Sequence, residues 1–165
     1  MKLDIIKHWI TNKSHFRTCI RQNIHVAIAS VDSNNVPTVT PIGSLFLNDN
    51  QTGFYFEKFA AKLNQNAAYN PNVCILAVNT GKWFWIKALF KGRFISHPAI
   101  KLYGKLGTKR DATPIEYRAF QRRVRSTKKL KGHQYLWTDM VQVREIQFTK
   151  VEQINLGKMT KNLSI

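Results

Sequence analysis

The segment from Phe54 to Val73, "FYFEKFAAKLNQNAAYNPNV", changes character within a few residues. Phe54-Tyr55-Phe56 reads as a buried strand of aromatics. From Ala60 the chain becomes alanine-rich and stops at Asn70-Pro71, because the residue before proline avoids the α region. A strand therefore runs into a short helix over residues 60–69. The turn between them carries Lys58 and Lys62, with no carboxylate after Glu57. Unpaired N–H groups at a helix start, with cations beside them, favour an anion.

On either side of this segment the chain alternates β-rich runs with turn chemistry. "NIHVAIASVDSNNVPTVTPIGSLFL" gives a hairpin around Asp32-Ser33-Asn34-Asn35. Pro37 and Pro41 push its second arm to a sheet edge or a bulge. "VCILAVN" is a nearly continuous apolar strand, expected to be buried on both faces. "KWFWIKALFKGRFISH" reads as a long aromatic strand bent at Gly92. Thr113-Pro114-Ile115-Glu116 is a capping box with proline at the first helical position. It opens a helix expected to turn Ile115, Ala119, Phe120 and Val124 inward and to stop near Gly132. "MVQVREIQFTKVEQINL" closes the chain with a further alternating β segment.

The reading is one domain over residues 1–165, mainly β. A helix over 3–20 precedes a barrel over 24–100 and 140–157, with a helical insertion at 113–131. Six antiparallel strands with peripheral helices are expected to close as a split β-barrel. No GxGxxG, no GxxxxGK[ST] and no alternating βα rhythm occurs, which argues against Rossmann and P-loop proteins.

Composition narrows the class. Hydrophobic residues are 44% of the 165, enough for a packed core, and no apolar run reaches membrane-spanning length. Cys19 and Cys74 lack metal or disulfide spacing, and the five histidines form no i, i+4 pair, so no protein-built metal site is expected. A cytoplasmic protein with no membrane partner is the expectation. The formal charge of +17 implies attraction to anions and keeps nucleic acid open as a partner. The stretch from Lys101 to Lys131 holds eleven Lys or Arg against Asp111 and Glu116, and its Arg118, Arg122, Arg123 and Arg125 could track phosphates. A solvated helix face explains the same count, and no platform of exposed aromatics for bases is evident.

The pattern Asn-x-x-Pro-x-x-x-Pro, a strand, a polar turn, Gly-Phe-Tyr-Phe, a short loop, Lys, a helix and Asn-Pro-x-Val resembles the pyridoxamine 5′-phosphate oxidase-like family of FMN-binding split barrels. The likeness runs through "VDSNNVPTVTPIGSLFLNDNQTGFYFEKFAAKLNQNAAYNPNVCILAVN". It implies an FMN phosphate held at the turn after Phe56, by Lys62 with Lys58 and Ala61 beside it. It implies the isoalloxazine and ribityl chain along Thr40, Pro41, Ile42, Gly43 and Ser44, with Gly43 giving close approach and Ser44 a hydrogen bond. Glu57 departs from the small hydroxyl residue of many relatives and is expected to pair with Lys58, Lys62 or a partner chain. Trp85 is a candidate to stack on a substrate, and Trp137 falls near an aromatic that relatives contribute from the second subunit. A core role explains Trp85 fully, and an interface or core role is the stronger reading of Trp137.

The resemblance also implies a homodimer with FMN between the subunits, which would cover the barrel's open edge and the aromatic strand. The authentic oxidases carry an Arg at the position of Thr40 and an Arg- and Trp-bearing C-terminal signature. Here stand Thr40 and "VEQINLGKMTKNLSI", so FMN binding transfers and the substrate does not. The expected function is an FMN-dependent oxidoreductase, its flavin reduced by a nicotinamide or another donor. No protein nucleophile or acid–base pair is evident and the catalytic residues are unknown, which suits chemistry carried by the cofactor. A flavin or haem carrier on the same barrel is the alternative, with His97 or His133 as possible haem ligands.

Overall fold

The computed structural model describes residues 5–163. In chain order the elements are α1 (Ile5–Ile20), β1 (Val26–Val31), β2 (Pro37–Ile42), β3 (Leu45–Leu47), β4 (Thr52–Phe56), α2 (Ala61–Tyr69) and β5 (Asn72–Val78). Then follow α3 (Lys82–Lys91), β6 (Ala99–Asp111), α4 (Pro114–Val124), α5 (Lys131–Trp137) and β7 (Gln142–Gln153). Residues 3 and 4 of the expected first helix lie outside the described residues.

All seven strands form one antiparallel sheet in the order β2-β1-β5-β6-β7-β4-β3, one strand more than the sequence suggested. That order forces closure. β2 and β3 are the opposite edges, yet only Gly43 and Ser44 separate them. Across a flat sheet the edges would stand about 29 Å apart at ~4.8 Å per strand. Three residue steps reach only about 10 Å. The sheet must roll until its edges nearly meet. The buried Ser44 hydroxyl ties the β2–β3 connector to the end of β4, donating to the Phe56 carbonyl and accepting from the Phe56 N–H, both at 3.1 Å. This is a split barrel.

The barrel interior is filled by Ile28, Ile75, Ile100, Leu102, Ile146 and Val151, on alternate positions of their strands. α1 plugs one end with Trp9, Phe16 and Cys19. Trp9 stacks on Phe148 with ring centroids 5.2 Å apart and donates its Nε1–H to the Asn48 carbonyl at 2.8 Å. A second cluster joins Phe54, Phe56 and Val143 to Phe120 and Val124 of α4.

Two expectations about regular structure fail. Residues 82–91 are a helix and not a strand. β5 and β6 pair directly with each other, Val78 against Ala99, so residues 79–98 loop out of the sheet with no strand position to fill. Gly92 ends this helix in the left-handed region at φ 63°, and its bond to Leu89 O with Arg93 N–H on Ala88 O makes a Schellman cap. The missed strand is β6. Ile100, Leu102, Gly104 and Leu106 point into the barrel, while Lys101 and Lys105 are more accessible. Four of the eleven cations of the basic stretch, Lys101, Lys105, Lys109 and Arg110, therefore belong to a strand. The capping box at Thr113 is present in full, but Ile115 is exposed, and only Phe120 and Val124 of α4 are buried.

Candidate functional site

The site expected from the sequence centres on the start of α2. Its N-cap is Ala60, whose methyl group cannot accept from the first-turn N–H groups, and no side chain caps the helix. Asn66, buried on the inner face of α2, fixes the helix against the β1–β2 hairpin. Its Nδ2 donates to Ser30 Oγ and to Thr38 Oγ1, each at 2.9 Å. Leu63 packs beside it in the core. Sequence reasoning missed Asn66; its spacing of three from Leu63, on the same helix face, was the available signal.

Lys62 is half exposed, its ammonium 3.5 Å from Asp32 Oδ2 in the hairpin turn. The Val36 and Asn34 N–H groups hold the Asp32 carboxyl below its usual range, with Lys62 adding less. Lys58 is engaged elsewhere. It donates to the carbonyls of Thr138 (2.5 Å) and Tyr135 (3.4 Å), where the negative end of α5 gathers, and lies 5.2 Å from the Phe59 ring.

Glu57 pairs with neither lysine. Its nearly buried carboxylate takes both nitrogens of Arg144, Nε at 2.9 Å and Nη2 at 3.1 Å, with Lys109 3.7 Å away and the Tyr55 hydroxyl donating at 3.3 Å. Burial, with the Glu57 charge second, pushes the Tyr55 phenol well up, so it stays a donor. Arg144 stands opposite Tyr55 in the β4–β7 register and was not singled out from the sequence. This network stiffens the floor beneath the turn and leaves the carboxylate no free face for a ligand.

Along β2, Thr40 is partly accessible and Pro41 exposed on the sheet's edge, while Ile42 is buried. The remaining strand residues have other employment than expected. Ser44 is consumed at the barrel seam. Gly43 is held to the Ile24 backbone, where a Cβ would meet Ile24 O at 2.8 Å, so close approach is needed for the chain itself. Phe56 is buried against Phe120 at 4.6 Å. Trp85 sits on α3 with its Nε1–H on the Asn79 carbonyl at 2.6 Å and its ring edge-on to Phe94, so it belongs to that helix's base.

Trp137 lines a hollow of about 390 Å³ at the barrel seam, together with Ile24, Ile42, Gly43, Leu45 and Val124. Arg21, Asn23, His25, Ser126 and Thr127 contribute to its polar lining. Arg123 also borders it, lying over Phe46 at 3.5 Å and donating to Leu45 O at 2.6 Å; burial of the guanidinium lowers its pKa to about 10. Lys58 ties the α5 C-terminus, next to Trp137, to the loop that leads into α2. The hollow and the open start of α2 thus flank one loop.

Neither histidine considered for haem faces this hollow. His97 is buried, with Nδ1 on Ile154 O at 3.2 Å and its carbonyl against His15 Nε2 at 2.8 Å. His133 Nδ1 meets Thr127 Oγ1 at 3.1 Å. Among the described residues, no three His, Cys, Asp or Glu side chains converge to hold a metal ion, and no helix is long and apolar enough to cross a membrane.

No family model and no curated protein matches the chain. Solved structures do match its fold. An FMN-binding protein from Syntrophomonas wolfei superposes with TM-score 0.61 at 17% identity, over 92% of this chain and 95% of that one. HutZ, the haem storage protein from Vibrio cholerae, gives 0.54 at 13% identity, over 93% and 95%. A candidate pyridoxamine 5′-phosphate oxidase from Listeria innocua gives 0.52 at 14% identity, over 87% and 98%. The fold is that of the pyridoxamine 5′-phosphate oxidase-like split barrels.

Proposed function

We propose that this protein binds FMN at the loop between β4 and α2 and acts as an FMN-dependent oxidoreductase. The observation that carries the reading is the uncapped N-terminus of α2, set behind the alanine N-cap Ala60, with Lys62 beside it. First-turn N–H groups and one half-exposed ammonium suit a dianionic phosphate. The competing Lys62–Asp32 pair is long at 3.5 Å and solvated at the lysine, so it competes weakly. A charge-assisted phosphate contact is worth about 1.5–3 kcal/mol, so the phosphate wins the lysine. Thr40 and Pro41, on the accessible strand edge, and Trp137, on the adjoining hollow, are the residues left to meet the rest of the cofactor. Bound flavin would supply the hydride or electron transfer, and the chain would supply orientation and exclusion of water. A homodimer enclosing the cofactor is part of this reading. The internal engagement of His97 and His133 favours FMN over haem, while the fold likeness extends to both an FMN-binding protein and a haem storage protein.

Titration of FMN and riboflavin into the apo protein tests the assignment. Lys62→Ala is expected to weaken FMN by on the order of 10- to 150-fold and to leave riboflavin nearly unchanged. An unchanged FMN-to-riboflavin ratio, with the fold intact by circular dichroism, would remove the phosphate from this turn. Bleaching of bound FMN by NADH or NADPH tests a nicotinamide as the electron donor; a flavin that neither reduces would remove nicotinamide from that role.

A further inference from the structure

α3 is apolar on both sides. Phe84, Trp85 and Ala88 face the protein, where Phe84 and Trp85 pack on Phe94 at 5.3 and 5.2 Å. The solvent side carries Trp83, Ile86 and Phe90 at i, i+3 and i+7, so they form one stripe. Leu89 and Ile95 extend it. Phe90 is 90% exposed, Ile95 75%, Trp83 72% and Leu89 67%. A contiguous ridge of this kind marks an interaction surface. Around it stand Lys82, Lys87, Lys91 and Arg93. Lys87, Lys91 and Arg93 also line a hollow of about 160 Å³ between Phe84 and Ile95, a cationic recess at the foot of the ridge. No aspartate or glutamate occurs between Glu57 and Asp111.

We infer that α3 docks the protein on an anionic lipid surface, with the ridge inserted among the acyl chains and the surrounding cations on the headgroups. Large apolar tips flanked by lysines are the make-up of a helix lying in the plane of an interface. The rim attracts acidic headgroups, and the charge of +17 extends that attraction over the whole molecule. A second copy fits poorly. Two α3 faces in contact would set four cations against four with no carboxylate among them, which is destabilising. Lying on a membrane differs from crossing one, so the lack of a spanning helix among the described residues does not bear on it.

Co-sedimentation of the full chain with phosphatidylcholine vesicles, with and without phosphatidylglycerol, tests this. Binding is expected only to the anionic vesicles, with a blue shift of tryptophan emission that Trp83→Phe reduces. Phe90→Ser is expected to weaken binding on the order of tenfold, since it removes one buried aromatic side chain. Lys87→Gln with Lys91→Gln is expected to weaken binding to the phosphatidylglycerol vesicles on the order of tenfold or more, since each cation near the surface contributes about 1 kcal/mol. These side chains are exposed, so the fold survives, which circular dichroism verifies. Absence of binding to anionic vesicles, equal binding to both vesicle types, or wild-type binding by Phe90→Ser would overturn the inference. So would a dimer that Phe90→Ser dissociates, or a nucleic-acid gel shift that it abolishes, in a protein that ignores vesicles.

Discussion

Arg144 closes on Glu57 with two nitrogens, Nε to Oε1 at 2.9 Å and Nη2 to Oε2 at 3.1 Å, around a carboxylate side chain that is 3% exposed. Arg144 also donates to Asn64 Oδ1 and to Gly107 O, so it joins β7, α2 and β6 at one point. The pair underlies the turn that leads into α2. Removing one partner leaves the other charged and buried, which costs more than the intact pair contributes. Arg144→Ala is expected to lower stability by about 3 kcal/mol, the low end for a broken buried pair because Lys109 stays 3.7 Å away. Urea unfolding measures it, and the double variant Glu57→Gln/Arg144→Gln should be more stable than Arg144→Ala. A double variant as unstable as the single one would assign the loss to packing.

Gly43 concerns the barrel seam. A Cβ there would stand 2.8 Å from the Ile24 carbonyl, which belongs to backbone and cannot swing away. Gly43→Ala is expected to cost about 1–3 kcal/mol through strain. The strain falls at the start of β1 and the end of β2, so faster amide exchange at Val26 and Ile42 should accompany it. Wild-type stability would show that the seam relaxes freely.

Lys58 is expected to behave unlike Lys62. Its ammonium holds the carbonyl end of α5 through Thr138 and Tyr135. Lys58→Ala should loosen residues 131–138 and weaken FMN and riboflavin by the same factor, since Trp137 moves with that helix. Limited proteolysis reports the loosening. A selective loss of FMN would place Lys58 on the phosphate instead.

Glu116 gives a pH dependence. Arg110 grips both its oxygens at 2.8 Å and the Thr113 N–H adds a third bond at 2.8 Å, so its carboxyl is held below the usual range, with Arg110 the leading cause. The folded state thus binds the Glu116 proton more weakly than the unfolded chain does. Its contribution is complete above the ordinary glutamate pKa and is lost as pH falls through the folded value. Glu116→Gln is expected to cost about 1–2 kcal/mol at neutral pH and almost nothing once the wild-type carboxyl is protonated. Equal losses at both pH values would show that the charge is irrelevant.

Local chemistry determined much of this molecule. Asp32-Ser33-Asn34-Asn35 turns the chain between β1 and β2, Pro37 and Pro41 fall on an edge strand, Asn70-Pro71 stops α2, and Thr113 with Glu116 caps α4. Each is a short-range matter of backbone angles and neighbouring hydrogen bonds, so a few adjacent residues suffice to specify it. The segment 82–91 was different. "KWFWIKALFK" has the aromatic density of a buried strand and the spacing of a helix, and the pairing of Val78 with Ala99 leaves it outside the sheet. The alternation of Ile100, Leu102 and Leu106 was legible, but the lysines between them resemble a solvated helix until β5 and β7 lie on either side. The candidate site divided the same way. The open start of α2 could be read from Ala60 and Lys62. The partner of Glu57, the hydroxyl bonds of Ser44 and the contacts of Lys58 join residues 87, 12 and up to 80 positions apart. Only the pairing of β4 with β3 and β7 brings such groups together, and no local propensity encodes which distant side chain will be waiting.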